Sequence, residues 1–324
     1  MTALNLSYNT SIIGAGAWGR ALAHTLSNNG KKVLIFARDK KKSEEELLES
    51  SVSITDNISE VISLNKPLII STPVASLNDI GKLLKEHNFL LPILLTCKGI
   101  EPNSGLFPTE IISDYISKDN LAVLSGPSFA SEVIQNKPTA VTIASPNKEV
   151  RKVFTELFHQ KYFRIYESTD ILGCQLGGAM KNILSVAVGI SDGLSLGANA
   201  RAALITRGIQ EIKSVGKALR CDDQTISGLS GFGDLVLTAN DNQSRNRRFG
   251  LEIANGNNIK EAEKKIGQVV EGINASIGLQ ILIKKHNLNL PICSKVFDII
   301  SGIIDPKTAV DELLIRDQKE EFDQ

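Results

Sequence analysis

The hydrophobic positions of this chain follow one pattern up to about residue 167. Short runs in which nearly every residue is apolar alternate there with longer stretches in which apolar residues recur every three or four positions. Runs that are apolar throughout are typical of strands covered on both faces, and strands that alternate with helices predict a mainly parallel sheet. The predicted strands are 10–13, 32–37, 52–55, 68–72, 93–97, 121–124, 140–144 and 163–166, and the predicted helices between them include 76–87, 108–116 and 147–158.

From Ser168 onward, helical periodicity dominates the chain. Residues 168–170 read Ser-Thr-Asp, and these side chains commonly cap the start of a helix. The predicted helices are 170–192, 199–219, 244–254, 259–266, 271–286 and 307–316. We therefore expect an α/β protein with a sheet domain over residues 1–167 and an all-α domain over residues 168–324.

A glycine-rich turn follows the first predicted strand and precedes a helix. It reads Gly14-Ala15-Gly16-Ala17-Trp18-Gly19. In a dinucleotide site such glycines make the tight turn, admit the pyrophosphate close to the backbone and let the helix pack on the strand, while the helix N-terminus faces the phosphates. A glycine turn serving another ligand in a sheet protein is the alternative. The strand–turn–helix–strand context favours a Rossmann-type dinucleotide-binding domain.

The residue at the end of the second predicted strand bears on the choice of cofactor. An Asp or Glu there would bind a ribose 2′-hydroxyl, whereas an arginine accommodates a 2′-phosphate. This chain has Arg38, followed by the basic run 40–42. Arg38 favours NADP and leaves NAD open, while the run before the acidic residues 44–46 is typical of a solvated helix face.

Composition narrows the function classes further. The 324 residues suffice for two domains, and a formal net charge of zero with 5% aromatic residues argues against nucleic acid or an anionic membrane as partner. The four cysteines form no CxxC pair, which predicts a reducing, cytoplasmic location and no metal site. A first strand beginning at residue 10 leaves no room for a signal peptide. The apolar run 172–190 contains a lysine, which predicts a core helix and no membrane span.

Lys181 is the strongest candidate for acid–base chemistry. It lies in an otherwise apolar helical segment, with Gly177 and Gly178 four and three residues before it, where small residues leave space for another backbone or a ligand. A lysine desolvated in such a place suits proton transfer near neutral pH, whereas a lysine whose ammonium reaches solvent would have no such role. The four histidines lie in helices or polar helix ends and offer less.

Polar residues after glycine turns and predicted strands supply further candidates. Asp234 follows a glycine turn and could either orient the ammonium of Lys181 or cap a helix. The run 244–250 reads Ser-Arg-Asn-Arg-Arg-Phe-Gly, which suits a phosphate at a helix start but equally a basic surface. Lys98-Gly99 and the segment 125–130 follow predicted strands, where open α/β sheets bind ligands.

Taken together and in order, these motifs are similar to one known family. The chain resembles the bacterial NAD(P)-dependent glycerol-3-phosphate dehydrogenases over nearly its full length. The segments that carry the resemblance are 14–19, 98–101, 125–130, 181–182, 192–194, 202–208, 233–235, 244–250 and 270–272.

The resemblance implies a role for each matched residue. Lys181 would exchange the proton with the substrate oxygen, with Lys98 and Asp234 completing the catalytic cluster. The implied substrate-binding residues are Lys98, Gly126, Ser128, Lys181, Asp234, Ser244, Arg245 and Asn246, with Asn182 and Thr238 behind them. The implied cofactor-binding residues are Gly14, Gly16, Trp18, Gly19, Arg38, Lys98, Ala130, Arg245, Val269 and Glu271.

The implied activity is the reversible reduction of dihydroxyacetone phosphate to sn-glycerol 3-phosphate with NADP or NAD, in glycerophospholipid biosynthesis. A homodimer is compatible with the resemblance. The segment from Arg38 to Ile54 is shorter than in the family and lacks its Asn-x-x-Tyr-Leu-Pro-Gly motif. The alternatives are a related two-domain dehydrogenase acting on a hydroxy acid, and a non-catalytic protein that senses nicotinamide cofactors.

Overall fold

The computed structural model describes residues 8–41, 43 and 49–315. The chain divides into two compact units. The first comprises Met1–Lys98 and Phe107–Cys174, and the second comprises Gly99–Leu106 and Gln175–Gln324. The predicted boundary at residues 167/168 stays a prediction.

The first unit is built on an eight-stranded sheet with strand order β3-β2-β1-β4-β5-β6-β7-β8. Every neighbouring pair of strands is parallel except β6 and β7. The order 3-2-1-4-5-6 is that of the Rossmann fold, in which the strand order reverses between β1 and β4. The strands are β1 (Thr10–Ile13), β2 (Val33–Phe36), β3 (Val52–Thr55), β4 (Leu68–Ile70), β5 (Ile93–Leu95), β6 (Leu121–Ser125), β7 (Thr139–Ala144) and β8 (Phe163–Ser168).

Helices cover this sheet and bury its apolar strands. Ile12, Ile35 and Ile69 of the central strands are fully buried in one cluster with Leu22 of the first helix, which explains why apolar residues dominate these strands. The helices of the first unit are α1 (Ala17–Asn28), α2 (Ile58–Ser63), α3 (Leu77–Glu86), α4 (Pro108–Ser113), α5 (Ala130–Ile134) and α6 (Lys148–Phe158). The short α2 and α5 escaped sequence prediction because five or six residues show too little periodicity.

The second unit is helical throughout its regular elements. Its helices are α7 (Ile171–Gly193), which begins in the first unit, α8 (Gly197–Leu219), α9 (Asp223–Ser227), α10 (Asp234–Asn240), α11 (Arg245–Ala254), α12 (Ile259–Ile266), α13 (Glu271–His286), α14 (Pro291–Ile300) and α15 (Pro306–Leu314), with a π-helical turn over Leu229–Gly233. The predicted helices did not include α14. Proline is well suited to the first turn of a helix, where Pro291 stands.

Helix α7 is long and apolar enough to cross a membrane by length and composition alone. The most apolar part of the helix is 78% buried inside the protein. Core helices of soluble proteins meet the same criterion of length and composition. The burial agrees with the prediction of a core helix.

Segment 99–106 packs on α13 within the second unit. A Cβ atom built on Gly278 of that helix would lie 2.6 Å from Cγ2 of Ile100, and one on Gly105 would lie 3.1 Å from Cβ of Ile281. Glu101 orders the segment by accepting hydrogen bonds from the backbone N–H groups of Asn103 and Ser104, at 3.0 and 2.7 Å. Partial burial opposes the shift, yet the bonds from Ser104 and Asn103 lower the pKa of the Glu101 carboxyl.

Candidate active site

Lys181 of α7 is held by a buried carboxylate and a hydroxyl. Its Nζ donates to Oδ1 of Asp234 at 2.7 Å and to Oγ1 of Thr238 at 2.8 Å. Asp234 is fully buried, Thr238 is 4% exposed, and the Lys181 side chain is 12% exposed. Asp234 therefore orients the ammonium, which was one of the two alternatives left open by the sequence.

The glycines before Lys181 explain how the partner carboxylate reaches it. A Cβ on Gly177 would lie 2.4 Å from the carbonyl oxygen of Ser230, so only glycine admits the backbone of the π-helical turn at this place. That turn ends directly before Asp234 at the start of α10. Another backbone, as expected, fills the space on this face of α7.

The run 244–250 forms the start of α11 rather than a purely exposed basic surface. Ser244 is the N-cap, and its Oγ accepts from the N–H of Arg247 at 3.2 Å. Arg245 is half-buried, and its guanidinium has no hydrogen bond or ion pair among the described residues. A planar guanidinium beside the first N–H groups of a ten-residue helix suits a phosphate.

The carboxamide of Asn246 points into the protein. It donates from Nδ2 to Oδ1 of Asn182 at 2.9 Å, and its Oδ1 accepts from the N–H of Gly272 at 2.9 Å. Lys181 precedes Asn182 and Arg245 precedes Asn246, so this contact brings the backbones of the two proposed functional cations together. Asn182 in turn donates to Oε2 of Glu271 at 3.2 Å.

A second ionic cluster, which the sequence-based reasoning did not find, lies where α7 and α11 cross. Both guanidinium nitrogens Nε and Nη2 of Arg247 donate to Oδ2 of Asp192, at 3.0 and 2.5 Å. Arg201 donates from Nε to the other oxygen of Asp192 at 2.9 Å, and Arg247 also contacts Asn242. In the sequence, this cluster was indicated only by the matched segment 192–194 and by Arg247, the second arginine of the run 244–250.

In the first unit, the glycine turn between β1 and α1 has the close contacts expected of a dinucleotide loop. Gly14 has φ +112°, and a Cβ there would lie 2.5 Å from the carbonyl oxygen of Ser71. A Cβ on Gly19 would lie 1.9 Å from the carbonyl oxygen of Gly14. A Cβ on Gly16 would meet nothing within 4 Å, which leaves open space beside the turn. These residues fit a bound dinucleotide.

The remaining predicted cofactor residues lie on both units. Trp18 and Ala130 are partly buried against the apolar cluster of the first unit, and Arg38 is exposed just after β2. Glu271 begins α13 in the second unit, and Val269 before it is 50% exposed.

Lys98 and the segment after β6 lie together in the first unit. The Nζ of Lys98 donates to the carbonyl oxygen of Gly126 at 3.2 Å, and Oγ of Ser128 donates to the same oxygen at 3.0 Å. Gly126 has φ +140°, and a Cβ there would lie 3.0 Å from Cα of Val141, so glycine is needed on both grounds. The structure thus groups three of the predicted substrate-binding residues.

Residues 8–41, 43 and 49–315 contain no cluster of side chains that could hold a metal ion. Three or more His, Cys, Asp or Glu side chains do not converge there. The four cysteines, all within these ranges, form no disulfide there. Burial, reinforced by the neighbouring Glu211 carboxylate, raises the pKa of the Cys293 thiol well above its ordinary value.

A Rossmann-type domain followed by a helical domain with a buried lysine–carboxylate pair defines the class of protein: an NAD(P)-dependent oxidoreductase. Family models described as NAD-dependent glycerol-3-phosphate dehydrogenase N-terminus and C-terminus match residues 9–151 and 170–311. The chain belongs to the NAD-dependent glycerol-3-phosphate dehydrogenase family.

Individual relatives agree with this membership. Glycerol-3-phosphate dehydrogenase (NAD(P)+) of Halorhodospira halophila is 39% identical over 97% of this chain and 98% of that protein. The protein of the same name from Halothermothrix orenii is 38% identical over 98% of each chain. The crystal structure of glycerol-3-phosphate dehydrogenase from Coxiella burnetii has a TM-score of 0.89 and 36% identity, and the match covers 96% of this chain and 99% of that one.

Proposed function

We propose that this protein reversibly reduces dihydroxyacetone phosphate to sn-glycerol 3-phosphate with NADPH or NADH. The observation that carries the proposal is the arrangement in the second unit, where a largely buried lysine with a carboxylate partner lies on α7 and a guanidinium without a partner in the described part of the chain lies on α11. A ketone that becomes an alkoxide needs a proton donor, and a phosphate monoester needs a cation at a helix start.

Lys181 acts as the proton donor and acceptor at the substrate oxygen. Asp234 provides a buried counter-ion for the ammonium, and a neighbouring carboxylate favours the charged form of a lysine. Together with Thr238 it fixes the direction of the ammonium that Lys181 presents to the substrate oxygen. Lys98 is the second cation of the proposed catalytic cluster.

Arg245 binds the phosphate of the substrate. The N–H groups of Arg245 and Asn246, in the first turn of α11, add hydrogen-bond donors and the positive end of the helix dipole. Ser244, Gly126 and Ser128 complete the proposed substrate-binding set. A hydroxy acid without a phosphate would have no use for this helix start.

The dinucleotide supplies the hydride when it is bound. The turn of Gly14, Gly16 and Gly19 holds its pyrophosphate, because the glycines admit the backbone at close approach. Arg38 meets the 2′-phosphate of NADP and Glu271 a further part of the cofactor. Trp18, Lys98, Ala130, Arg245 and Val269 line the rest of the proposed cofactor site.

The product is a precursor of glycerophospholipids, and we place the enzyme in the cytoplasm and in that biosynthesis. The four cysteines, which form no disulfide among the described residues, and the burial of α7 support this placement. A homodimer is compatible with it.

A direct spectrophotometric assay, without coupling enzymes, tests the function. When dihydroxyacetone phosphate is added, we expect the purified protein to oxidise NADPH or NADH, which lowers the absorbance of reduced nicotinamide at 340 nm. With sn-glycerol 3-phosphate and the oxidised cofactor, we expect the reverse reaction to raise that absorbance. Turnover of an unphosphorylated 2-oxo acid instead would favour the hydroxy-acid dehydrogenase. Binding of cofactor with no turnover of any ketone would favour the sensor.

A further inference from the structure

The carboxamides of Asn182 and Asn246 belong to a ring of hydrogen bonds that joins α7, α11 and the start of α13. The Gly272 N–H donates to Asn246, Asn246 donates to Asn182, and Asn182 donates to Glu271, at 2.9, 2.9 and 3.2 Å. The first bond starts at Gly272 and the last bond ends at Glu271. These two residues are neighbours in sequence, so the three bonds and the backbone between Glu271 and Gly272 form a closed ring. Asn182 is 3% exposed and Asn246 is 7% exposed.

One backbone group sets the direction of every bond in this ring. A peptide N–H only donates, so Asn246 must present its carbonyl oxygen to Gly272 and its NH2 group to Asn182. Asn182 must then present its own NH2 group to Glu271. The last acceptor is a carboxylate, which accepts without donating when ionised. The hydrogen bond that the Glu271 carboxylate accepts from Asn182 is therefore set by Asn246, two hydrogen bonds away.

The ring closes because residue 272 is glycine. A Cβ there would lie 2.9 Å from the carbonyl oxygen of Asn182 and 2.9 Å from Oδ1 of Asn246. Such separations are too short for a carbon atom beside an oxygen, and the backbone oxygen cannot move without the helix. Any side chain at this position would push α13 away from the two asparagines.

We propose that Asn246 is a positioning residue, whose carboxamide holds the Glu271 carboxylate toward the bound dinucleotide, and that the Asn246 side chain is not a phosphate ligand. The inference rests on the proposed function for the place of Glu271 in the cofactor site. The carboxamide of Asn246 is already engaged within the protein, through its oxygen with Gly272 and through its nitrogen with Asn182. The phosphate is bound by the Arg245 guanidinium and by backbone N–H groups.

The chemistry of a carboxylate narrows what Glu271 recognises. An ionised carboxylate accepts hydrogen bonds and repels phosphate. Glu271 therefore contacts a hydrogen-bond-donating group of the dinucleotide and not its phosphates. The ring keeps the carboxylate in place before the cofactor arrives, which lowers the entropy cost of binding.

A double-mutant cycle with NADPH alone tests the proposal. The dissociation constant of NADPH is measured by fluorescence titration, without substrate, for the wild type, Asn246→Ala, Glu271→Ala and the double variant. Glu271→Ala should raise the constant about 10- to 150-fold, as expected for one lost hydrogen bond to a charged group, and Asn246→Ala should raise it by up to the same factor. The double variant should be no weaker than Glu271→Ala, because Asn246 acts through Glu271.

Kinetics provide the second readout. Asn246→Ala should leave the KM for dihydroxyacetone phosphate within about twofold of the wild-type value, since Arg245 stays in place. A raised substrate KM with an unchanged NADPH constant would make Asn246 a phosphate ligand and overturn the proposal. Effects that add fully in the double variant would overturn it too, because they would show independent roles.

Two further variants keep the test on folded protein. Asn182→Ala breaks the same ring from α7 and should weaken NADPH binding to a similar extent as Asn246→Ala, even if the latter proves unstable. Asn255→Ala, exposed at the other end of α11, is the matched control and should bind NADPH like the wild type. A separate result would contradict the proposed function: a wild-type protein that binds NADPH but does not turn over dihydroxyacetone phosphate.

Discussion

Lys181 and Arg245 are two cations of the second unit with opposite surroundings. The ammonium of Lys181 has a fully buried carboxylate as its neighbour, whereas the guanidinium of Arg245 is half-buried and makes no ion pair among the described residues. A buried, oriented ammonium suits proton transfer, and a guanidinium still to be neutralised suits an anionic ligand. The difference in surroundings supports a different role for each residue.

Replacing Lys181 should remove proton transfer. We expect Lys181→Ala to lower kcat about 10²- to 10⁴-fold, the usual contribution of a positioned acid or base. Steady-state assays with saturating cofactor measure it, and the half-buried Lys213, paired with Asp223 at 2.7 Å, provides the control Lys213→Ala. Retention of more than about a tenth of the wild-type kcat would contradict the role.

The Lys181 experiment needs a folded variant. Removal of the ammonium leaves the Asp234 carboxylate buried without its counter-ion, which costs about 3–5 kcal/mol of stability. The double variant Lys181→Met with Asp234→Asn removes both charges together. It should melt closer to the wild-type temperature than Lys181→Ala and be equally inactive.

Replacing Arg245 should act mainly on substrate binding. Loss of a charge-assisted contact to phosphate costs about 1.5–3 kcal/mol, so Arg245→Ala should raise the KM for dihydroxyacetone phosphate about 10- to 150-fold. Lys260→Ala, exposed on α12, serves as the control. An unaltered KM would remove Arg245 from the phosphate site.

Cys293 makes the stability of the second unit depend on alkaline pH. Desolvation, with Glu211 beside it, raises the pKa of the folded thiol above its ordinary 9.0. A folded pKa above the unfolded one means that the stabilisation is present below pH 9.0 and is lost as pH rises further, because the unfolded state then releases the proton first. Denaturant titrations between pH 8 and 11 should show a fall in the unfolding free energy that is smaller in Cys293→Ala. Equal slopes for the two proteins would contradict this.

At the scale of elements, glycines decide how closely α7 and α11 cross. A Cβ on Gly250 would lie 2.2 Å from the carbonyl oxygen of Val186, and one on Gly189 would lie 2.1 Å from that of Arg247. The crossing brings the Asp192 carboxylate to Arg247 and holds the first turn of α11, including Arg245, beside the lysine helix. The functional groups of this unit thus depend on a contact between two backbones.

Gly250→Ala should force this crossing apart. The added methyl group meets backbone atoms, which cannot rotate away, so we expect a loss of about 1–3 kcal/mol or more in stability and a raised substrate KM. Thermal melting and kinetics measure the two effects. The exposed Asn255, five residues later on the same helix, gives the control Asn255→Ala. A wild-type melting temperature in Gly250→Ala would show that the helices need not approach so closely.

Helix α14 shows how a distant residue caps an element. The Glu211 carboxylate of α8 accepts from the N–H groups of Ile292 and Cys293, at 2.6 and 3.0 Å, and both residues lie in the first turn of α14. A carboxylate at a helix N-terminus satisfies unpaired donors and complements the helix dipole. Since the acceptor is 81 residues from Ile292, local sequence did not reveal this cap.

At the scale of the whole molecule, cofactor binding should be visible as added stability. A ligand at 100 times its dissociation constant stabilises the folded state by about 2.7 kcal/mol. NADPH and NADH should therefore both raise the melting temperature. Arg38→Ala should reduce the shift with NADPH and leave that with NADH unchanged, because only NADPH carries the 2′-phosphate.

Thermal-shift titrations with the two cofactors measure the Arg38 effect. Loss of one guanidinium–phosphate contact is worth about 1.5–3 kcal/mol. Lys41, exposed in the same segment, provides the control Lys41→Ala. An equal loss of both shifts in Arg38→Ala would mean that Arg38 supports the fold and does not read the 2′-phosphate.

The sequence by itself determined the strands, most of the longer helices and the fold class. All eight predicted strands are present, because an uninterrupted apolar run or a repeat of three to four residues reports local structure directly. The chain also carries its family membership in short ordered motifs. Local pattern alone made Lys181 a candidate, as a lysine in an apolar, glycine-bearing helix.

Only the tertiary structure decided which groups meet. Asp234 lies 53 residues from Lys181, and Gly272 lies 26 residues from the asparagine side chain that it orients. Such pairs depend on how closely two helices approach each other. Gly177, Gly189 and Gly250 permit the close approach, but the local sequence pattern does not show which helices meet there. The physical reason is that hydrophobic periodicity records which face of an element is buried, whereas the partner of a polar side chain is set by packing between elements distant in sequence.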